Sequence, residues 1–292
     1  MKPLRLVFLA AIVVGTAAAC RSVAPADSTA GAPGTGPTST SIVAATVAQR
    51  EAWLEAVARG YFPGRSGQLF FVPREGEFVV GRNPLYAFMH GSPWSYDTHI
   101  PLLLYGPPFI RALVSGERVS QQDLVPTLAE LLGTVPAATA VGRSLREALA
   151  PGTARPRVIV LLVADGTRAD YFDTYRDVLP TLSRLRREGA WFGNAHVTSV
   201  PTLTAVGHAN IGTGAEPRVH GLAVNNLFNR ITGKSQAVYD GLDPGEMMAL
   251  TLADIWNIQT DGKAVIIGQG GAIRATAGLV GHGACLIDGR PV

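Results

Sequence analysis

The order of apolar and polar residues along the chain predicts alternating helices and strands. Short continuous apolar runs of strand length fall at 68–72, 77–80, 100–106, 158–164 and 263–271. Apolar residues recur at helical spacing in four segments, which are VAQREAWLEAVARGY (47–61), DLVPTLAELLG (123–133), LPTLSRLRREG (179–189) and LTLADIWNIQ (250–259). This alternation predicts an α/β fold with a mainly parallel sheet sandwiched by helices.

The first 45 residues differ from the rest in composition. Lys2 and Arg5 precede the apolar run LVFLAAIVV and the small residues GTAAAC, which predicts a signal peptide over 1–20 and export from the cytoplasm to the periplasm or cell envelope. Cys20 follows three alanines, so we expect a lipidated Cys20 that anchors the protein to a membrane, with ordinary cleavage as the alternative. Lipidation would leave Cys285 without a partner. Residues 21–45 are rich in small and turn-forming residues, which indicates a flexible linker.

Composition excludes some partners. The 292 residues are 47% hydrophobic and only 16% charged, which is enough apolar content for a globular core. The net charge of +3 is spread along the chain without a block of Lys and Arg. A nucleic-acid polymer is therefore not an expected partner.

Asp165 is the first candidate for chemistry, because it ends the apolar run VIVLLVADG. In α/β sheets ligands bind beyond the carboxyl ends of the strands, and a carboxylate fixed there suits a divalent metal. The alternative is a common Asp-Gly turn that ends a strand.

The stretch 199–226 holds the next candidates. Its Pro, Thr and Gly residues indicate a shaped loop that leads into a helix. Thr202 or Thr204 could act as a nucleophile if a metal lowered its pKa, whereas an ordinary capping threonine is the alternative. His208 and His220 lie beside glycines, and we interpret both as structural.

Taken together, VIVLLVADGTRADYF, PTLTAVGHANIGTG and HGLAVNN resemble the alkaline phosphatase superfamily, in particular its type I phosphodiesterase/nucleotide pyrophosphatase and PafA-like branches. The resemblance implies an alkaline-phosphatase-like fold, two zinc ions and a small phosphate-ester substrate. It also implies that Asp165 is a zinc ligand and that Thr204 is the nucleophile and a further zinc ligand. Asn225 would donate a hydrogen bond to a phosphoryl oxygen.

A second group of motifs, YFPGRSGQLFFV, HGSPWSYDTHIPLLLYGP and DLVPTLAELLG, resembles the carboxyl-terminal part of the same domain. The resemblance implies that His90 completes the second zinc site, with His99 as the fallback. Asp97 is expected to organise the loop.

The chain departs from this family in order and in content. Residues 46–150 resemble the carboxyl-terminal part of the domain, yet they precede 156–292, which resemble the amino-terminal part. The middle part, which would bring four further zinc ligands, is not found, so we expect an incomplete fold and impaired activity from a fragment or a rearranged gene. Gln269 and Gly270 stand near the positions where PafA-like monoesterases place Lys and Arg, which favours cleavage of diesters or pyrophosphates.

Two functions follow as hypotheses. The first is a metal-dependent phosphoric ester hydrolase that acts through a threonine nucleophile. The alternative is a non-catalytic envelope lipoprotein with at most one weak metal or anion site. A sulfatase has less support, because the Cys/Ser-x-Pro-x-Arg sequence of that branch is absent.

Overall fold

The computed structural model describes residues 46–78, 89–152 and 154–283, together with the backbone of 286–287 and 290–291. The predicted signal peptide and linker lie outside these residues, as do Cys20 and Cys285. Within the described part of the chain, no helix is both long enough and apolar enough to cross a membrane.

Helices make up most of the regular structure in the described residues. The α-helices are α1 Val47–Gly60, α2 Ser95–Thr98, α3 Leu124–Leu132, α4 Tyr171–Thr174, α5 Pro180–Glu188, α6 Thr204–Thr213, α7 Pro217–His220, α8 Leu252–Gln259 and α9 Ile273–Val280. Short 3-10 helices span Gln121–Asp123, Arg146–Ala148, Arg176–Val178 and Asp240–Leu242.

The four predicted helices are confirmed as α1, α3, α5 and α8, and local signals set their ends. The side chain of Thr46 accepts a hydrogen bond from the Gln49 N–H in a capping box at the start of α1. Thr251 and Asp254 form the same motif at the start of α8. Helix α3 ends at Gly133, whose φ of 68° is left-handed.

The strands are few and short. They are β1 His99–Leu104, β2 Leu113–Ser120, β3 Ala190–His196, β4 Asn226–Asn229, β5 Lys234–Ala237, β6 Leu286–Ile287 and β7 Arg290–Pro291. The largest sheet has the order β1-β3-β2, in which β3 runs parallel to β2 and antiparallel to β1. The other pairs are the antiparallel hairpins β4-β5 and β6-β7. The α/β class is therefore confirmed, but the sheets are small and the mainly parallel sandwich is not.

Three predicted strands are wrong as regular elements in the described residues. Segments 68–72, 158–164 and 263–271 form no β-ladder. Of the run predicted at 77–80, residues 79–80 lie outside the described residues. Segment 158–164 still packs like a strand, because Ile159, Leu161 and Val163 contact one apolar cluster and Ala164 contacts another. An apolar run favours a strand, but it does not specify the partner that pairs with it.

Helix α6 is the most completely buried of the longer helices in the described residues. Every residue from Ala205 to Thr213 is buried except Gly207. Helix α9 crosses α6 so closely that a Cβ on Gly212 would lie 2.0 Å from the carbonyl oxygen of Gly278. A Cβ on Gly278 would lie 2.9 Å from the Ala209 nitrogen. Glycine at both positions is therefore a packing requirement.

A buried carboxylate joins α8 to the chain after α9. Asp254 accepts hydrogen bonds from the backbone N–H of Thr251 and of His282, at 2.8 and 2.7 Å, and from the Nδ1 of His282 at 3.0 Å. Nε2 of His282 donates to the carbonyl of Met247 at 2.6 Å. Burial opposes the charged ring, but the hydrogen bonds to Asp254 and Met247 outweigh it and raise the pKa of His282.

The α6–α9 contact gives a first prediction. Gly212→Ala should lower the free energy of unfolding by about 2 kcal/mol, because the added methyl overlaps the Gly278 backbone. Gly207→Ala is the matched control in the same helix, since a Cβ there meets nothing within 4 Å. It should raise stability by about 0.5–1 kcal/mol through helix propensity. Urea unfolding of both variants measures this, and equal effects would contradict the close contact.

The raised pKa of His282 predicts a pH dependence. Its contribution to stability should be complete below the unfolded-state pKa near 6.5 and lost as pH rises through the higher folded-state pKa. Wild type should therefore lose more stability between pH 6 and pH 8.5 than His282→Gln, as measured by urea unfolding at each pH. Subtracting the two proteins cancels the other titrating groups. Parallel pH profiles would show that His282 is not held in its charged form.

Candidate active site

A cleft of about 880 Å³ opens where β2, β3 and the segment 158–164 end. Ser120, the last residue of β2, pairs with His196, the last residue of β3. Asp165, Thr204 and His90 all line this cleft. The cleft thus lies beyond the carboxyl ends of the parallel strands, where the sequence places a ligand site.

Asp165 and Thr204 are joined by a direct hydrogen bond. Thr204 is the first residue of α6, and its hydroxyl donates to Oδ2 of Asp165 at 2.8 Å. The two residues are 39 positions apart, so the fold itself brings them together. The buried helix behind Thr204 holds this hydroxyl at a fixed place in the cleft.

His90 turns one ring nitrogen toward the same carboxylate. Its Nδ1 lies 2.5 Å from the carbonyl oxygen of Thr202, and because a carbonyl only accepts, Nδ1 carries the proton. In the neutral ring Nε2 then has a free lone pair, and it lies 3.7 Å from Oδ1 of Asp165. The side chains of His90 and Asp165 are 23% and 21% exposed, so an ion from solvent can reach both.

Asn225 approaches the start of α6 from the other direction. Its Oδ1 accepts a hydrogen bond from the backbone N–H of Ala205 at 2.9 Å. This contact satisfies one of the N–H groups that a helix start leaves unpaired. The residues that line the cleft do not include Asn225, so its role as a donor to a phosphoryl oxygen stays a prediction.

The loop that supports His90 is organised by Asp97. Its Oδ2 accepts from the backbone N–H groups of Gly91 and Ser92, at 3.2 and 2.8 Å, and from the Ser92 hydroxyl at 2.5 Å. His99 also lines the cleft, but its Nε2 donates to the carbonyl of Gly193 and its ring stacks on His196. Burial, with the nearby charges of Arg118 and His99, lowers the pKa of His196 to about 4.

His208 and His220 make structural contacts. Nε2 of His220 donates to Oδ1 of Asn210 at 2.7 Å, and burial lowers the pKa of His220 to about 3. Nδ1 of His208 donates to the carbonyl of Thr204 at 2.7 Å within α6. Burial lowers the pKa of His208 and outweighs the opposite effect of Asp165. His208 nevertheless lines the cleft, a position that its glycine-rich sequence context did not indicate.

The site offers a carboxylate whose two oxygens lie near a hydroxyl and an imidazole nitrogen. Among the described residues, no group of three or more His, Cys, Asp or Glu side chains could hold a metal ion. The sequence predicted Asp165 and His90 as metal ligands, and these two side chains lie 3.7 Å apart in the cleft. What the arrangement can do is direct a hydroxyl at a ligand in the cleft, with a carboxylate to receive its proton.

Comparison with known proteins shows which proteins part of this chain resembles. Residues 159–265 match the family model of type I phosphodiesterase / nucleotide pyrophosphatase. This match, with the relatives described next, confirms that this part of the chain resembles the alkaline phosphatase superfamily. The relation supports phosphoric ester hydrolysis as the chemistry of the class.

Three relatives show how far the similarity extends. The alkaline phosphatase PafA of Elizabethkingia meningoseptica is 39% identical over 83 residues, which are 28% of this chain and 15% of that protein. A protein named calcium-transporting ATPase from Myroides odoratus is 30% identical over 157 residues, 47% of this chain and 28% of that protein. The human ectonucleotide pyrophosphatase/phosphodiesterase family member 1 is 31% identical over 86 residues, 30% and 9% of the two chains.

The matches therefore cover less than a third of each of these relatives. No solved structure matches the chain. The relatives' names span phosphatase, ATPase and pyrophosphatase/phosphodiesterase, so the names alone do not define a substrate for this chain.

Proposed function

We propose that this chain is a phosphoric ester hydrolase whose nucleophile is Thr204. The observation that supports this most directly is the convergence of Thr204, Asp165 and His90 in one cleft. Three chemically different groups from distant segments line this cleft, and the two oxygens of Asp165 lie near the Thr204 hydroxyl and the His90 imidazole.

The donor set fits one zinc ion better than two. Oδ2 of Asp165 lies 2.8 Å from the Thr204 hydroxyl oxygen, and Oδ1 lies 3.7 Å from Nε2 of His90, so these three residues would hold the ion. A single ion bound by these three groups would keep an open position for substrate, whereas a second ion lacks ligands among the described residues.

The chain's own residues then define the steps. The hydroxyl oxygen of Thr204 attacks phosphorus, its proton passes to Asp165, and the P–O bond to the alcohol or phosphate leaving group breaks. Asp165 gives this proton to the leaving group. Water then attacks the phosphothreonine, its P–O bond to Thr204 breaks, and a proton from that water restores the threonine hydroxyl. The amide nitrogen of Asn225 donates to a non-bridging oxygen throughout. Bound zinc would supply a lower hydroxyl pKa and would offset negative charge on the phosphoryl group.

A binding protein without turnover is the second candidate. It is favoured by the small number of ligands, because catalytic zinc sites normally have three protein ligands and one of the three here is a weakly acidic hydroxyl. In this case the cleft would hold one weak metal ion or an anion. For either function, the N-terminal segment supports export to the periplasm or cell envelope, with Cys20 as the lipidation site.

Zinc binding should depend on both predicted ligands. Equilibrium dialysis of the wild type should give at most one zinc per chain, and Asp165→Asn or His90→Gln should weaken binding by about 100-fold. Asp177→Asn removes an exposed carboxylate elsewhere and is the matched control. Two tightly bound ions per wild-type chain would contradict the ligand count, and unchanged affinity in both variants would contradict the site.

Turnover should require the Thr204 hydroxyl. With zinc present, Thr204→Ala should reduce hydrolysis of bis-p-nitrophenyl phosphate to the rate without enzyme, while Thr204→Ser retains measurable activity because it keeps a hydroxyl. The diester should be cleaved faster than p-nitrophenyl phosphate, because the resemblance implies that Gln269 and Gly270 stand where monoesterases place Lys and Arg for a dianion. Zinc binding by the wild type without any turnover would instead support the binding protein.

A further inference from the structure

A second, smaller cleft of about 220 Å³ lies apart from Thr204, between the loop after α1 and the β4-β5 hairpin. Residues 64–68, Phe228 and Arg230 line it, and we call it the Arg65–Arg230 cleft. None of these residues lines the larger cleft. Arg230 lies five residue steps along the chain from Asn225, through the strand β4, which corresponds to about 17 Å of extended chain.

Arg65 is fixed at the edge of this cleft. Its Nη1 donates to the carbonyl oxygens of Gly221 at 3.0 Å and Glu246 at 2.5 Å, and its guanidinium lies 5.2 Å from the centre of the Phe62 ring. These contacts use only part of the guanidinium, so its other N–H groups remain as donors. Among the described residues, no carboxylate pairs with Arg65.

Arg230 brings a second positive charge to the same cleft. Its Nη2 donates to the carbonyl of Ser66 at 3.2 Å, which joins the hairpin to the loop. It too forms no salt bridge with the carboxylates of the described chain. Carbonyl partners satisfy hydrogen bonds but cancel no charge, so both arginines line this cleft without a carboxylate partner among the described residues.

The loop itself adds further donors. The side-chain oxygen of Ser66 accepts from the Phe62 N–H at 2.8 Å, which leaves the Ser66 hydroxyl proton free. The backbone N–H groups of Gly67 and Gln68 have no backbone or side-chain acceptor within the described part of the protein. Gly64, with φ of 81°, allows the loop to turn, and a Cβ there would meet nothing within 4 Å. Loops that present successive N–H groups are known anion sites.

We propose that the Arg65–Arg230 cleft binds a phosphoryl anion, through the two guanidinium groups and the loop N–H groups, at a site separate from the Thr204 cleft. Arginine suits this role because its planar fork donates two parallel hydrogen bonds to a phosphate. Phe228, which is 55% exposed at the rim, provides an apolar surface for the group that carries the phosphate. The ligand is either a soluble phosphate ester or the headgroup of an anionic lipid.

The test is a titration of the full chain with inorganic phosphate at low ionic strength, followed by amide NMR. We expect shifts at Gly67 and Gln68, and Arg230→Gln should weaken phosphate binding there by about tenfold. Arg176→Gln removes an exposed arginine outside the cleft and should leave the affinity unchanged. Arg230 forms a single surface contact, so its variant should fold, which its dispersed amide spectrum would verify.

The Thr204→Ala variant separates this proposal from the proposed function. It should bind phosphate at Gly67 and Gln68 as the wild type does, whether or not the wild type hydrolyses esters. Shifts confined to Asp165 and Thr204, or equal affinities for Arg230→Gln and Arg176→Gln, would overturn the proposal.

Flotation with phosphatidylglycerol vesicles and with phosphatidylcholine vesicles identifies the source of the phosphoryl group. Arg230-dependent binding to the anionic vesicles indicates a headgroup, whereas phosphate binding without flotation indicates a soluble ester.

Discussion

The contact between α6 and α9 is the constraint on which the geometry of the cleft depends. Gly212 and Gly278 let the two backbones touch, and the remainder of α6 is almost completely buried. A helix held this firmly fixes the position of its first residue, Thr204. From that position the hydroxyl reaches Asp165, and the following N–H reaches Asn225. The candidate chemistry thus depends on packing at the far end of the same helix.

The sequence predicts local structure better than pairing between distant segments. The capping box at Thr46 and the left-handed Gly133 lie within a few residues of the helices they delimit, so α1 and α3 can be predicted. A strand depends on a partner elsewhere in the chain. Val265 and Ile267 are 86% and 83% exposed, because no layer of the described chain covers the run that was predicted as a buried strand. The predicted βαβ order was therefore insufficient to define the sheet.

The candidate site also divides into residues that the sequence identifies and contacts that only the structure shows. Asp165 could be proposed from its place after an apolar run, and the resemblance to phosphatases led to Thr204, His90 and Asn225. Their hydrogen-bond roles could not be inferred from sequence, since the proton position on His90 depends on the carbonyl of Thr202. The arginine in GRSGQ also belonged to a motif of that resemblance. Its contacts with Gly221 and Glu246, more than 150 positions away, appear only in three dimensions.

Segment 158–164 has a consequence for association between chains. Four of its side chains contact two apolar clusters, yet its backbone makes no hydrogen bond with another part of the described protein. Seven consecutive apolar residues without a charge, with peptide groups free to pair, form a template for an added strand. The segment that positions Asp165 therefore also has the apolar sequence and the unpaired peptide groups that an added β-strand requires.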